Sequence, residues 1–132
     1  MSNRLPRIVM TSRDHDRLST LAEAVLSRRP DVGEFLMREL DRARVVDPER
    51  IGPATVTMGA RVEFAYGHSD KREVASLVFP GEENIAAGRI SILTPIGAAL
   101  IGLSEGQSIA FRTLRGEERT LTVLKVHATP DA

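Results

Sequence analysis

Near residue 50 the hydrophobic pattern changes its period, and a chain that does so cannot be all helix or all sheet. Between residues 11 and 46 apolar side chains recur every three or four positions. Beyond Asp47-Pro48 and Gly52-Pro53 they alternate. The first spacing belongs to amphipathic helices and the second to half-buried strands. A helical segment followed by a run of strands predicts an α+β architecture.

In the helical half, Thr11 or Ser12 can cap a first helix. Asp14 and Asp16 fall in its first turn, where carboxylates meet the positive end of the helix dipole. Leu18, Leu21, Ala22 and Val25 share one face. Pro30 interrupts the pattern after Arg28 and Arg29, and Asp31 is placed to cap a second helix. Its stripe is Val32, Phe35, Leu36, Leu40 and Ala43, with Glu34 and Arg38 spaced to pair. Helices of roughly 13 residues rise about 20 Å. The expectation is a short antiparallel hairpin, a short coiled coil, over residues 1–50. Its tip carries Arg28, Arg29 and Asp31. The ordinary reading of the two arginines is that they offset the dipole of the preceding helix. The sharper one is a basic tip that reaches an acidic or phosphate-bearing partner.

In the second half, ARVEFAY, REVASLVF, RISIL, SIAFRTL and RTLTVLKV give five strands. Gly67-His68-Ser69-Asp70, PGEENIAAG and the turn around Arg115-Gly116-Glu117 separate them. One short helix follows RISIL. Residues 51–132 are therefore expected to form an antiparallel, largely hairpin-linked sheet with its own alternating core.

Composition removes several function classes. There is no Cys, so disulfide frameworks, thiolate nucleophiles and cysteine-bound zinc are excluded. Eighteen Lys and Arg balance 18 Asp and Glu, which argues against a dedicated nucleic-acid coat or a polybasic membrane anchor. MSNRLPRIVM lacks the apolar stretch of a signal peptide, and no later segment is long enough to span a bilayer. The expectation is a cytoplasmic monomer that makes no membrane contact. His15, His68 and His127 have no partner at ligand spacing. The acid pairs Glu82-Glu83 and Glu117-Glu118 sit in turns, where carboxylates are ordinarily solvated. Gly97, Gly102 and Gly106 do not form a phosphate loop. No catalytic residue, metal site or cofactor is expected, and the chain is not read as an enzyme.

The stretch ISILTPIGAALIGLSEGQSI, residues 90–109, is the most informative. Ile90 and Ile92 belong to a strand. Thr94 is placed as an N-cap and Pro95 as the first helical residue, where its missing N–H is harmless. Ile96, Ala99 and Leu100 make the buried face, and Gly102 ends the helix. Burial accounts for most of this. It does not account for Leu93, Thr94, Pro95 and Ile96 gathering at a strand-to-helix corner, which is normally a surface place.

That stretch resembles the C-terminal domain of the Gre transcript-cleavage factors, whose Ser/Thr-Pro-x-G-x-A-L-x-G step it shares. With LDRARVVDP, VTMGARVEF and LVFPGEENIAAGRISIL, the chain is more closely similar to the regulator of nucleoside diphosphate kinase branch of that superfamily, over residues 8 to 127. The resemblance implies an FKBP-like fold for residues 51–132. It also implies binding to RNA polymerase near its secondary channel and modulation of transcription elongation, with DNA met only through the transcription complex and no sequence-specific nucleic-acid contact. An indirect influence on nucleoside diphosphate kinase comes with the family. The docking corner maps onto Leu93, Thr94, Pro95 and Ile96, Leu93 standing where some Gre sequences carry an acid. Gre factors hold a metal ion with acidic residues at the tip of a much longer hairpin. Here the tip offers one carboxylate and little reach, so transcript cleavage is not expected. The fold alone offers an alternative, an FKBP-like peptidyl-prolyl isomerase, which needs an aromatic pocket from a chain with four Phe and one Tyr.

Overall fold

The computed structural model describes residues 5–67, 71–113 and 115–127. Strand β1 (Val9–Thr11) leads into helix α1 (Ser12–Leu26), then α2 (Pro30–Arg42) and β2 (Arg44–Val46). Strands β3 (Arg61–Tyr66), β4 (Arg72–Val78) and β5 (Arg89–Ser91) follow, then helix α3 (Pro95–Leu100), β6 (Ser108–Arg112) and β7 (Glu118–His127). The molecule is α+β, with a helical N-terminal part and a sheet that is mostly antiparallel.

The hairpin forms where the apolar spacing places it. Thr11 caps α1, its hydroxyl oxygen accepting the Asp14 N–H at 3.0 Å. The second cap differs from expectation. Pro30 is the first residue of α2 and Arg29 occupies the capping position without a side-chain bond, so Asp31 lies inside the first turn. Proline's fixed φ prepares the helical conformation one residue earlier than a capping aspartate could. Gly33 sits inside α2 because the helices nearly touch there. A Cβ on it would stand 2.9 Å from Leu26 Cα.

Two features of the sheets were not expected. β1 and β2 pair in parallel, Val9 level with Arg44 and Thr11 with Val46, and so clasp the two ends of the hairpin. The five-stranded sheet runs β5-β4-β3-β7-β6, and its β4–β5 pair is parallel, which corrects the wholly antiparallel expectation. The connection after Phe79, with a 3-10 turn at Ile85–Ala87, carries the chain back to the level of Ser76, so that β5 runs alongside the last three residues of β4 in the same direction. The expected five strands are otherwise in place, though RISIL is strand only through Ser91.

One core serves both halves. Ile8, Met10, Leu18, Ala22, Leu36 and Leu40 belong to the same buried cluster as Val62, Leu77, Leu100, Leu121 and Val123. Burying a leucine fully is worth about 1.5–3 kcal/mol, so this shared cluster outweighs any single surface contact. It is also why the helices do not stand clear as a coiled coil: their apolar faces are used on the sheet as well as on each other. Polar ties reinforce the junction. The buried Asp14 carboxylate accepts the Met58 N–H at 3.0 Å. Arg17 lies over the Phe79 ring at 4.1 Å. His15 donates to the Leu40 carbonyl at 3.0 Å and Gln107 to the Arg7 carbonyl at 3.0 Å. Glu39, only 1% exposed, is held by Arg42 through bonds of 2.7 and 2.9 Å, and Arg42 also donates to the Pro6 carbonyl. Among the described residues, no helix is long and apolar enough to cross a membrane.

Candidate functional site

The strand-to-helix corner is built on Ser91. The Ser91 hydroxyl accepts the Leu93 N–H at 3.0 Å, and its carbonyl accepts both the Thr94 N–H at 3.0 Å and the Thr94 hydroxyl at 2.7 Å. Thr94 in turn caps α3, its oxygen accepting the Gly97 N–H at 3.0 Å. Pro95 opens the helix. The fold back over the strand end is so close that a Cβ on Gly97 would stand 2.3 Å from the Ser91 carbonyl oxygen. The N–H groups of Leu93, Thr94 and Gly97 are thus all bonded within the turn. Thr94 is exposed and Pro95 half-buried, while Leu93 and Ile96 are half-buried and packed on the core from outside.

Two grooves meet at this corner, and Thr94 and Pro95 line both. One, of about 530 Å³, is walled by Tyr66, Ile90, Ile96 and Phe111, with Arg115 and Glu117 at its rim. The Tyr66 and Phe111 rings pack at 6.0 Å between centroids, tilted by 55°. The other, of about 630 Å³, runs between one face of α2 (Asp31, Phe35, Arg38) and the Leu93–Ala98 corner with β6. Asp31 is therefore brought beside the corner. Arg28 and Arg29 are exposed in the turn between the helices and line neither groove. Tyr66 and Phe111 fall on the inward positions of their alternating strands, and both lie on the core face. The signal that they also wall a groove was the position of Tyr66 at a strand end, where the core face runs out.

Among the described residues the titratable groups show no reacting pair. Glu63 is the perturbed one on the surface. The hydrogen bond from His127 at 2.6 Å, and then Arg72 at 2.7 Å, hold its carboxyl down at about 2. Asp14 is shifted the other way, because burial raises its carboxyl above the ordinary 3.8 against the pull of the Met58 N–H. Among the described residues no three His, Asp or Glu side chains gather as metal ligands would. His68 lies outside the described residues.

Comparison with known proteins fits both halves. A family model described as the C-terminal part of transcription elongation factors GreA/GreB matches residues 52–128, and one described as the Rnk N-terminus matches residues 6–46. The "Regulator of nucleoside diphosphate kinase" of Escherichia coli K12 is 32% identical over 96% of this chain and 93% of its own length. "Transcription elongation factor GreA" of Rhodospirillum rubrum is 35% identical over 85% of this chain and 74% of its own. Among solved structures, a "Prokaryotic transcription elongation factor GreA/GreB from Nitrosomonas europaea" superimposes with a TM-score of 0.74 at 34% identity, covering 92% of this chain and all of that one.

Proposed function

The chain belongs to the GreA/GreB transcription elongation factor family, in the branch of the regulators of nucleoside diphosphate kinase, and from that membership we propose that it binds RNA polymerase near the secondary channel and modulates elongation without catalysing a reaction. It acts as a cytoplasmic monomer, and its effect on nucleoside diphosphate kinase is indirect. The hairpin of residues 1–50 and the sheet part of residues 51–132 are its two units, joined by a common core. The observation that carries the reading is the corner itself. Leu93, Thr94, Pro95 and Ile96 form a rigid step, half-apolar and presented between two grooves, with the N–H groups of Leu93, Thr94 and Gly97 bonded within the turn. A rigid apolar step loses little side-chain entropy when a partner covers it.

The isomerase alternative gains no support. One matched family is named for transcription elongation and the other for the Rnk N-terminus, and the groove beside Pro95 has only two aromatic walls among its described residues, Tyr66 and Phe111.

The test is affinity for core RNA polymerase, measured for Pro95→Ala and Ile96→Ser beside the remote variant Glu82→Ala. Interface anchors are worth about 2 kcal/mol or more each, so each corner variant is expected to weaken binding roughly 30-fold. Thermal unfolding should move little for Pro95→Ala, since proline at the first helical position donates no hydrogen bond. Unchanged affinity in both corner variants would refute the docking assignment.

A further inference from the structure

Only one face of the five-stranded sheet is covered. Val62, Phe64, Leu77, Leu121 and Val123 point into the core, and the intervening residues make the opposite face. Register fixes what lies there. Arg61 is level with Ser76 on β4 and with His127 on β7, and Ser76 in turn with Arg89 on β5. The next row is Val74, Glu63 and Lys125. Ala65 is level with Arg72 and Thr122, and Arg112 stands on the far edge opposite Glu118.

Among the described residues, five exposed cations, Arg61, Arg72, Arg89, Arg112 and Lys125, thus share one face with two carboxylates, Glu63 and Glu118. Glu63 is already engaged by Arg72 and His127. Arg61, Arg89, Arg112 and Lys125 have no ion pair among the described residues. The formal net charge of the chain is zero, so this excess is a segregation of charge. Many of the balancing carboxylates, among them Glu23, Glu34 and Asp41, are exposed on the helices.

We propose that the open face of the five-stranded sheet binds the phosphate backbone of single-stranded nucleic acid without reading its sequence. Four of the five cations are arginines, whose planar fork matches phosphate oxygens in pairs. The floor between them is low and rich in hydroxyls: Ser76, Ser108, Thr120 and Thr122, with Ala65 and Ala110. Short hydroxyl side chains add phosphate contacts that carry no sequence information. The rings of Phe64, Tyr66 and Phe111 lie on the opposite face of the sheet, so stacking on bases plays no part. A sheet surface without a projecting helix or ribbon has nothing to insert into a duplex groove, whereas a single strand can lie across it. The exposed apolar residues here, Val74 and the bulged Leu124, are too few for the clustered anchors of a protein interface. At its β6 edge this surface borders the groove beside Pro95, which Ala110, Arg112 and Glu118 also line, whereas Arg61, Arg89 and Lys125 line neither groove of that corner.

Fluorescence anisotropy of a labelled oligouridylate of about 15 nucleotides, titrated with the full chain, tests it. Four neutralised phosphates give a slope of log affinity against log salt of about −2 to −3 between 50 and 200 mM. The double variant Arg61→Gln/Arg89→Gln should weaken binding about tenfold at low salt and flatten the slope by about 1.4, with its melting temperature unchanged. Lys125→Gln alone should flatten it by about 0.7, which keeps a readout if the double variant folds poorly. Arg28→Gln/Arg29→Gln, the same charge change at the hairpin turn, should leave binding as it is, and oligoadenylate should bind as tightly as oligouridylate. No measurable binding, an equal loss from the two double variants, tighter binding to a duplex of the same length, or equal displacement by polyglutamate would each overturn the proposal.

Discussion

Gly97 and Thr94 set the geometry of the corner against Ser91, and each has a specific cost if altered. A methyl group at Gly97 would press on a backbone carbonyl, which cannot rotate away as a side chain can. Gly97→Ala is expected to cost about 1–3 kcal/mol in urea unfolding, the range for overpacking a tight site. Thr94→Ala removes a cap and should cost about 1 kcal/mol. The two perturbed carboxyls give pH effects of opposite sign. Glu63 is held below its ordinary 4.5, so its contribution to stability is complete above that pH and is lost as the pH falls toward about 2. Asp14 is held above 3.8, so ionising it costs more in the fold than in the unfolded chain, and its contribution weakens as the pH rises from there. Glu63→Gln should therefore flatten the acid limb of a melting-temperature profile, and Asp14→Asn should remove an opposing slope while preserving an acceptor for the Met58 N–H. Asp14→Ala leaves that donor unsatisfied and should cost about 1–3 kcal/mol.

At the scale of elements, the hairpin is a packed unit whose first helix is 15 residues and second 13. Its turn offers one carboxylate, Asp31, and that residue faces the groove beside Pro95. Added to a backtracked polymerase, the protein is expected to produce no metal-dependent RNA cleavage above background. Cleavage that vanished in Asp31→Ala would contradict this. Glu39 is the other vulnerable point of α2. Glu39→Ala leaves the Arg42 guanidinium, 21% exposed, with the Pro6 carbonyl and without its carboxylate, and should cost about 1–3 kcal/mol, read by denaturant unfolding. The elements with long apolar patterns were legible in the sequence: both helices, the alternating strands, and the Thr94-Pro95 start of α3. β1 and β2 were not, because VMT and RVV are three residues each and too short to show alternation. The parallel setting of β5 was equally hidden. Whether a strand returns parallel depends on where a connection lands, and a loop such as PGEENIAAG does not encode that locally. The corner was legible as a rigid apolar step. The grooves on either side of it were not, since they depend on α2 and β6, far away in sequence, coming to flank it. Formal charge balance likewise concealed the basic face, because a sum over residues is blind to which side of a sheet they occupy.

For the molecule as a whole, the decisive fact is that the core crosses residues 47–53. The alternating half was expected to hold a core of its own. The shared cluster instead predicts that a fragment beginning at Gly52, deprived of Ile8, Met10, Leu18, Leu36 and Leu40, melts at lower temperature and less cooperatively than the full chain. Circular dichroism of the fragment checks this, and a sharp transition at the full-length temperature would contradict it. The clasp of β1 and β2 carries the point into time. Val9 donates to the Gly102 carbonyl and Arg7 accepts from Gln107, so the base of the hairpin is fastened by residues made almost a hundred positions later. On the ribosome the two helices emerge first and then wait for Gln107. At about 5–20 residues per second, that delay is several seconds. Helices this short are marginal by themselves, so they remain exposed to proteases and chaperones for that interval. Pulsed hydrogen exchange during refolding should show α1 and α2 gaining protection together with β6 and β7, and not ahead of them.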